Sequence, residues 1–572
     1  MAAVVPYPPI ETHAVLGNGH TAALVASDGT IDWFCAPDYD GTVVFGALLD
    51  VERGGYWRIG PEVRGFGSQR YDDDAPIVTT SWSMSGAEWT VTDALVPGPV
   101  LIRRVSCARG PALCVSTFQP RADFDTIDAD HTPPAPFPLR LWSSDPRLTD
   151  RSGRAPLSSG DVVWFALSPR SAVVDGVETV AALFEGAARH WRDRRPTGAG
   201  ADPRLARSAM VLQLLQYKPS GAMVAAPTTS LPERIGGGWN VDYRLSWVRD
   251  TSIAVAMLAR LGDTASASRY LEWLTTVDSA TDAPLQTLYD VRGGTTPVRR
   301  ERYDLAGYRG SKPVRFGNHA YKQRQLDIFG YLADAVLTLL DVGGGCSPDV
   351  FQLLRRCADY VAVCWDEPDR GIWELPASQQ YISSRVMCWV ALDRTITIAS
   401  RLGESSSSSW THAGEAIRRQ VLERGWNRAG RAFTQTLASD RLDASALLMP
   451  IYGFLPPDDE RIIATVERIS EELTIDGFVY RFDPAGIPGV HGPPFGEFEA
   501  AFVPCTLWLA TVLRMLRRND TASRLIAAID RVAGPTQLLA EAIDARTRTF
   551  AGNFPLAFSH AEYIRAALAA PG

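Results

Sequence analysis

The period of the apolar residues changes once along this chain, and that change limits the fold more than any other feature. Up to about residue 175, short apolar runs alternate with turns. HTAALVASDGTIDWFCAP, GALLDVERGGYWRIGP, APIVTTSWSMSGAEWTVTDALVP and LIRRVSCARGPALCVSTFQPRADF all read as strands broken at short intervals. The spacing predicts an antiparallel β-sandwich over residues 1–175. From VETVAALFEGAARHW onward, apolar residues fall three and four apart in about a dozen segments, among them TSIAVAMLARLG, QRQLDIFGYLADAVLTLLD and CTLWLATVLRMLRRND. Several close on Leu-Gly or Gly-Gly, a helix stop. The Pro/Gly/Ala-rich break RPTGAGADP falls between the regimes, so residues 176–204 are expected to form a helical linker and 205–572 a helical domain. Pairs of helices joined by long loops can close into a ring whose loops gather at one mouth.

Bulk properties narrow the function. With 572 residues the chain is too long for one ordinary core, and 46% hydrophobic content with 47 glycines and 39 prolines describes a globular protein rich in turns. A net charge of -8 and the lack of any long basic block argue against nucleic acid or an anionic membrane as partner. No apolar run reaches the roughly 18 residues needed to cross a bilayer. MAAVVPYPPIETHAVLGNGH also lacks a basic stretch followed by an apolar one, so a cytoplasmic protein is expected. The eight cysteines form no CxxC pair and are read as reduced and mostly buried; the eight histidines do not cluster. Neither a metal nor a cofactor is expected. Nothing in the sequence fixes an oligomeric state.

Chemistry-bearing residues concentrate between the helical segments. The loop before TSIAVAMLARLG holds Trp239, Asp242, Tyr243, Arg244, Trp247, Arg249 and Asp250. Asp250 or Thr251 would serve as a helix cap, which leaves the rest unexplained. An Arg-Asp pair flanked by aromatics suits a sugar: rings stack on the apolar face of a pyranose while guanidinium and carboxylate bond its hydroxyls. A second loop, LAGYRGSKPVRFGNHAYKQRQLDIFG, places Arg309, Arg315, Asn318 and His319 before a helix. Such a site also suits phosphate, but the P-loop and dinucleotide fingerprints are missing, and the segment is read as part of the mouth. In PDRGIWELPASQQYISSRVMCWVAL, Glu374 follows Trp373 ahead of a helix expected from Ser383 or Ser384. A carboxyl packed on an indole loses hydration, which favours the protonated form that a general acid needs. GIPGVHGPPFGEFEAAFVPCTLWLATVL sets Glu497 and Glu499 before an apolar helix, where the helix dipole alone accounts for one acid and a general base would account for another. LLAEAIDARTRTFAGNFPLAFSHAEYIRAAL adds Glu541, Asn553, Phe554 and His560.

Taken together, APTTSLPE, DYRLSWVRD, GYRGSKPVRFGN, PDRGIWE, RVMCWVALDR, TQTLASDRLDASALLMP and GNFPLAFSH resemble, in order and spacing, the bacterial branch of glycoside hydrolase family 15. That branch holds glucoamylases with their glucodextranase and trehalase relatives. IETHAVLGNGHTAALVASDGTIDWFCAP is similar to the family's N-terminal signature, and the resemblance spans residues 10–568. It implies an N-terminal β-sandwich, a helical linker and an (α/α)6 toroid with an active-site pocket at one end. The implied reaction is exo-acting hydrolysis of α-linked glucose, from maltooligosaccharides or trehalose, with inversion. By the same resemblance Glu374 of GIWE is the general acid, Glu499, six residues before Cys505, the general base, and Arg249 and Asp250 the pair gripping the terminal glucose. Trp247, Tyr243, Trp373, Arg309 and His319 stand as further substrate-binding candidates, with Glu497 as an alternative base.

An inverting hydrolase needs one acid to protonate the glycosidic oxygen and one carboxylate to activate water on the opposite face, roughly 6.5–9.5 Å apart. Several departures from the family pattern bear on activity. Ala500 replaces the usual glycine after the expected base, PPFG looks like an insertion, LPASQQYISSRV lacks a basic or histidine-containing run, and the segment 124–142 is shorter than its counterpart. They keep two alternatives in view: a repurposed toroid doing acid/base chemistry on a non-sugar or natural-product substrate, such as a cyclase or tailoring enzyme, and a catalytically silent carbohydrate-binding protein.

Overall fold

A computed structural model describes residues 5–569 apart from 64, 73–74, 125–138, 173 and 438; most of the shortened segment 124–142 thus lies outside the described residues. Two antiparallel sheets form the N-terminal sandwich. One runs, strand beside strand, through His13–Gly17, Ala22–Ala26, Thr30–Ala36, Tyr56–Pro61, Ala112–Gln119 and Ser152–Leu157, with Thr42–Phe45 paired to Thr30–Ala36. The other runs through Leu139–Ser143, Val162–Pro169, Val100–Arg109, Ala87–Val96, Val78–Met84 and Ser68–Tyr71. Strands with one wet face alternate, as Ser152–Leu157 does in burial. The strands His13–Gly17, Ala22–Ala26 and Thr30–Ala36 do not: every residue is buried. The helical domain covers their second face. The Trp33 indole donates to the Pro227 carbonyl at 2.7 Å, and a Cβ on Gly17 would lie 2.3 Å from Leu214 Cγ.

Helix α1 (Val177–Arg192) lies back on the sandwich, with Phe184 edge-on to Trp164 at 5.7 Å. The remaining helices alternate between an outer and an inner ring. The outer ones are α2 (Pro203–Leu215), α4 (Thr264–Thr276), α6 (Pro348–Cys364), α8 (Ser408–Arg424), α10 (Glu460–Glu472) and α12 (Asn519–Ala533). The inner ones are α3 (Val248–Arg260), α5 (Ile328–Asp341), α7 (Ile382–Leu402), α9 (Leu448–Ile451, preceded by the 3-10 turn Ala444–Leu447), α11 (Val503–Met515) and α13 (Ala557–Leu568), each touching the next around the ring. Surrounded on all sides, inner helices bury every face, as Val503–Leu513 of α11 is buried at every position.

The two rings begin their helices differently. Side chains of Asp202, Asp263, Ser347, Ser407 and Asp459 cap the outer helices α2, α4, α6, α8 and α10. The inner helices α3, α7, α11 and α13 have no side-chain cap. Instead the first N–H of each is bonded by a carbonyl of a neighbouring loop: Val248 by Thr287, Ile382 by Gln435, Val503 by Glu541 and Ala557 by Ala225, at 2.8–3.0 Å. The turn opening α9 has both devices, Ala444 N–H donating to the Arg481 carbonyl while the Asp443 side chain accepts from Ser445 N–H at 2.8 Å. Each of these loops leads into the next inner helix round. The cap expected of Asp250 or Thr251 is therefore not formed; α3 starts at Val248, and Asp250 gives its carboxylate to Arg249. Among the described residues no helix is long and apolar enough to cross a membrane.

Candidate active site

The inner helices present their N-terminal ends to one mouth, where the loops enclose a cavity of about 530 Å³. Helix N-termini carry partial positive charge. That end accordingly gathers Glu233, Asp250, Glu374, Glu499 and Glu541 in the cavity wall, with Arg249 and Arg481 as the buried cations among them.

On one side stands Arg249, in the first turn of α3. Its Nε donates to Asp250 (3.0 Å) and its Nη1 to Gln325 (3.0 Å). Asp327 and Glu374 each lie 3.6 Å from its guanidinium. Burial pushes Asp250 up to about 6, with Arg249 holding it down and Glu374 adding to the rise. Glu374 sits in the loop between α6 and α7, its side chain 24% exposed to the cavity. Its backbone is left-handed, φ 56°, an uncommon conformation for a residue with a Cβ. The indole it meets is that of Trp247, which donates to Oε1 at 2.9 Å. Trp373 lines the cavity too, but its own N–H donates to Asp443 at 3.0 Å and its ring packs on Phe502 and Trp508. The expected desolvating partner of Glu374 is thus a wall residue turned the other way.

On the other side, Arg481 donates through Nε to both oxygens of Glu499 (3.1 and 3.0 Å) and through Nη2 to Glu499 Oε2 and Glu233 Oε2, the last at 2.5 Å. The guanidinium lies 5.6–5.8 Å from the rings of Trp373, Phe482 and Phe502, a partly desolvated cation on π-faces. Both oxygens of Glu499 are thus bonded to one cation. Glu541 is held differently: Tyr243 hydroxyl donates to Oε1 at 2.6 Å and Asn553 N–H to Oε2 at 3.1 Å. Burial, and then the charge of Glu233, push Glu541 up to about 8, against Tyr243 and Arg481. The rings of Tyr243 and Trp247 meet edge-on at 5.2 Å. The adjoining rings of Trp247 and Tyr243 thus hold Glu374 and Glu541 and join the two sides.

His319, the first residue of the 3-10 turn His319–Lys322, lines the cavity as well. Two candidates lie elsewhere. Arg309 is not among the lining residues; the turn Tyr308–Gly310 aims its guanidinium at the Tyr7 carbonyl (3.1 Å) of the N-terminal segment. Glu497 points outward, pairs with Arg546 at 3.0 Å and lines a separate pocket of about 260 Å³. Glu233 and Arg481 are site residues that sequence reasoning missed, and Glu541 is one it noted without a role. A visible signal for Glu233 was its place at the end of the APTTSLPE motif; Arg481, inside an ordinary strand-like run, had none.

Residues 202–568 match Glycosyl hydrolases family 15, and residues 5–134 match Trehalase-like, N-terminal. A protein named Trehalase from Mycolicibacterium smegmatis is 36% identical over 98% of this chain and 91% of its own length. Another of that name, from Mycobacterium tuberculosis, is 33% identical over 98% and 89%. A bacterial glucoamylase solved in complex with acarbose shares the fold, with a TM-score of 0.66 over 98% of this chain and 93% of that one at 14% identity. With carboxylates from separate loops lining one cavity of an (α/α)6 toroid and a family match over more than half its length, this chain belongs to glycosyl hydrolase family 15 and is a glucose-releasing glycoside hydrolase.

Proposed function

We propose that the substrate is α,α-trehalose, with Glu374 as general acid and Glu541 as general base. Full-length similarity to proteins named Trehalase, through the sandwich as well as the toroid, supports the substrate. Arg249, Asp250 and Trp247 grip the terminal glucose beside Glu374, while Tyr243, Trp373, His319 and Arg481 complete the wall. Glu374 gives its proton to the glycosidic oxygen as the bond to the anomeric carbon breaks. Water attacks that carbon from the opposite face and yields its proton to the base. One half of trehalose leaves as β-glucose and the other, its anomeric bond intact, as α-glucose.

The observation that carries the choice of base is the difference in hydrogen bonding between two buried carboxylates. Both oxygens of Glu499 are bonded to the Arg481 guanidinium, a charge-assisted fork that turns the carboxylate toward a cation and away from an attacking water. Among the described residues Glu541 has only two donors, both neutral, and its surroundings raise its proton affinity. Glu499 is the second reading, supported by its place in the same wall; in the first it orients Arg481. The sugar reading is favoured over a toroid repurposed for non-sugar chemistry. A cytoplasmic location belongs to the same reading, supported by eight cysteines that are all free.

The test is proton NMR of products before mutarotation. Trehalose should give equal α- and β-glucose at first; α-glucose alone would mean retention and remove the inverting assignment. Glu374→Gln and Glu541→Gln should each abolish turnover with folding intact. Full activity in Glu541→Gln, with none in Glu499→Gln, would return the base to Glu499.

A further inference from the structure

The loop carrying Glu374 is pinned at its root by a buried aspartate that takes no part in the reaction above. Asp369 is fully buried. Its backbone exchanges both N–H···O bonds with Gln379 (3.0 and 2.9 Å), closing the loop. Its Oδ2 accepts from Leu326 N–H (2.9 Å), at the entry to α5, and from the Ser384 hydroxyl (2.7 Å), in the first turn of α7. The other inner helices are tied to the following loop through a backbone carbonyl. At α5 a side-chain carboxylate does this, and it comes from the loop of the general acid. Further along, the Arg370 guanidinium donates to the Leu375 carbonyl at 3.0 Å, across the left-handed backbone of Glu374. Such a conformation persists where its surroundings over-determine it.

We propose that Asp369 is a positioning residue for Glu374: its carboxylate fixes the root of the acid loop against α5 and α7, and the tether tightens when that carboxylate is ionised. Two donors converge on one oxygen, and hydrogen bonds to an ionised acceptor are roughly twice as strong as neutral ones. The carboxyl is pushed up to about 7 by burial, with Asp327 adding to the rise and Leu326 N–H, Ser384 and Arg385 opposing it. The charged and titratable groups facing it are Asp327 ahead of α5, Tyr381, Arg385 and Cys388 of α7 and its start, and Cys364 of α6. Arg385 is already paired with Asp366 at 3.2 Å.

The inference rests on Glu374 being the acid, and the experiment separates the two. Steady-state trehalose hydrolysis is measured from pH 5.5 to 9 for the wild type, Asp369→Asn, Ser384→Ala and Glu374→Gln. Asp369→Asn keeps the shape and stays neutral, so it mimics the protonated wild type at every pH. Its kcat should equal that of the wild type below pH 6 and fall to about one fifth above pH 8, as two charge-assisted bonds become neutral ones, with KM unchanged. Taking the ratio cancels the titrations of Asp250 and Glu541. Ser384→Ala, which removes one donor, should show a smaller deficit and move the step upward; it also serves as the test should Asp369→Asn not fold. A ratio independent of pH, or a change confined to KM, would overturn the proposal while leaving the acid assignment standing. An active Glu374→Gln would remove the assignment itself.

Discussion

Tyr243→Phe is the most informative single substitution. It removes a 2.6 Å hydroxyl donor from Glu541 Oε1 but keeps the ring that packs on Trp247, so the Trp247 bond to Glu374 is preserved. A hydrogen bond to a charged group contributes about 1.5–3 kcal/mol, and 1.36 kcal/mol corresponds to one pKa unit. Losing the donor, which favours the ionised carboxylate, should therefore raise the proton affinity of Glu541 by about one to two units. Glu541 already sits at about 8, so roughly a tenth is ionised at pH 7 in the wild type. In the variant kcat/KM at pH 7 should drop about 10- to 100-fold, and the limb of the pH profile that reports Glu541 should move upward by the same one to two units. The assay is kcat/KM for trehalose from pH 5.5 to 10. A loss that leaves both limbs of the profile in place would refute Glu541 as base and make Tyr243 a substrate contact.

Other outcomes follow from the same geometry. Arg249→Lys breaks the fork that joins Asp250, Gln325 and Glu374 in a buried site, and should lower kcat/KM by about 100-fold or more, as lost buried charge contacts of about 3–5 kcal/mol do; initial-rate kinetics decide. Trp247→Phe removes the donor to Glu374 and should reduce kcat by about tenfold, for a bond of about 1.5 kcal/mol to a charged group. Glu497→Gln, on an exposed pair with Arg546, should leave both activity and Tm unchanged. His560 is buried against Ser208 and the Leu539 N–H and is pushed down to about 3 by burial, then by Arg207. The unfolded chain binds that proton near pH 6.5 and the folded one does not, so stability falls as pH drops from about 6.5 toward 3. In His560→Asn the slope of Tm against pH over that range should be shallower.

The two-part fold was legible because each half imposes its own period on many residues. Helix α7, expected from Ser383 or Ser384, starts at Ile382. By contrast α9 spans four residues and contains Pro450, too short to show a period, and its place in the inner ring follows from its neighbours. The Arg249 side of the cavity was readable since its residues crowd into one loop. The opposite side was not: Arg481 lies 248 positions from Glu233, and Tyr243 lies 298 from Glu541. Motif spacing located Glu499 at the mouth, but which carboxylate is locked to a guanidinium is decided by long-range contacts. Likewise Trp373 adjoins Glu374 in sequence, while backbone direction gives the contact to Trp247.

Because nearly every inner helix borrows its opening hydrogen bond from the loop next round, no loop of the mouth is a free-standing part. Cutting out one would strip the start of an adjacent stave and loosen a wall that the cut never touched. New specificities in this scaffold should therefore arise by exchanging side chains or by bulges added outside the stitched carbonyls, and wholesale transplantation of a single loop should fail by unravelling its neighbour.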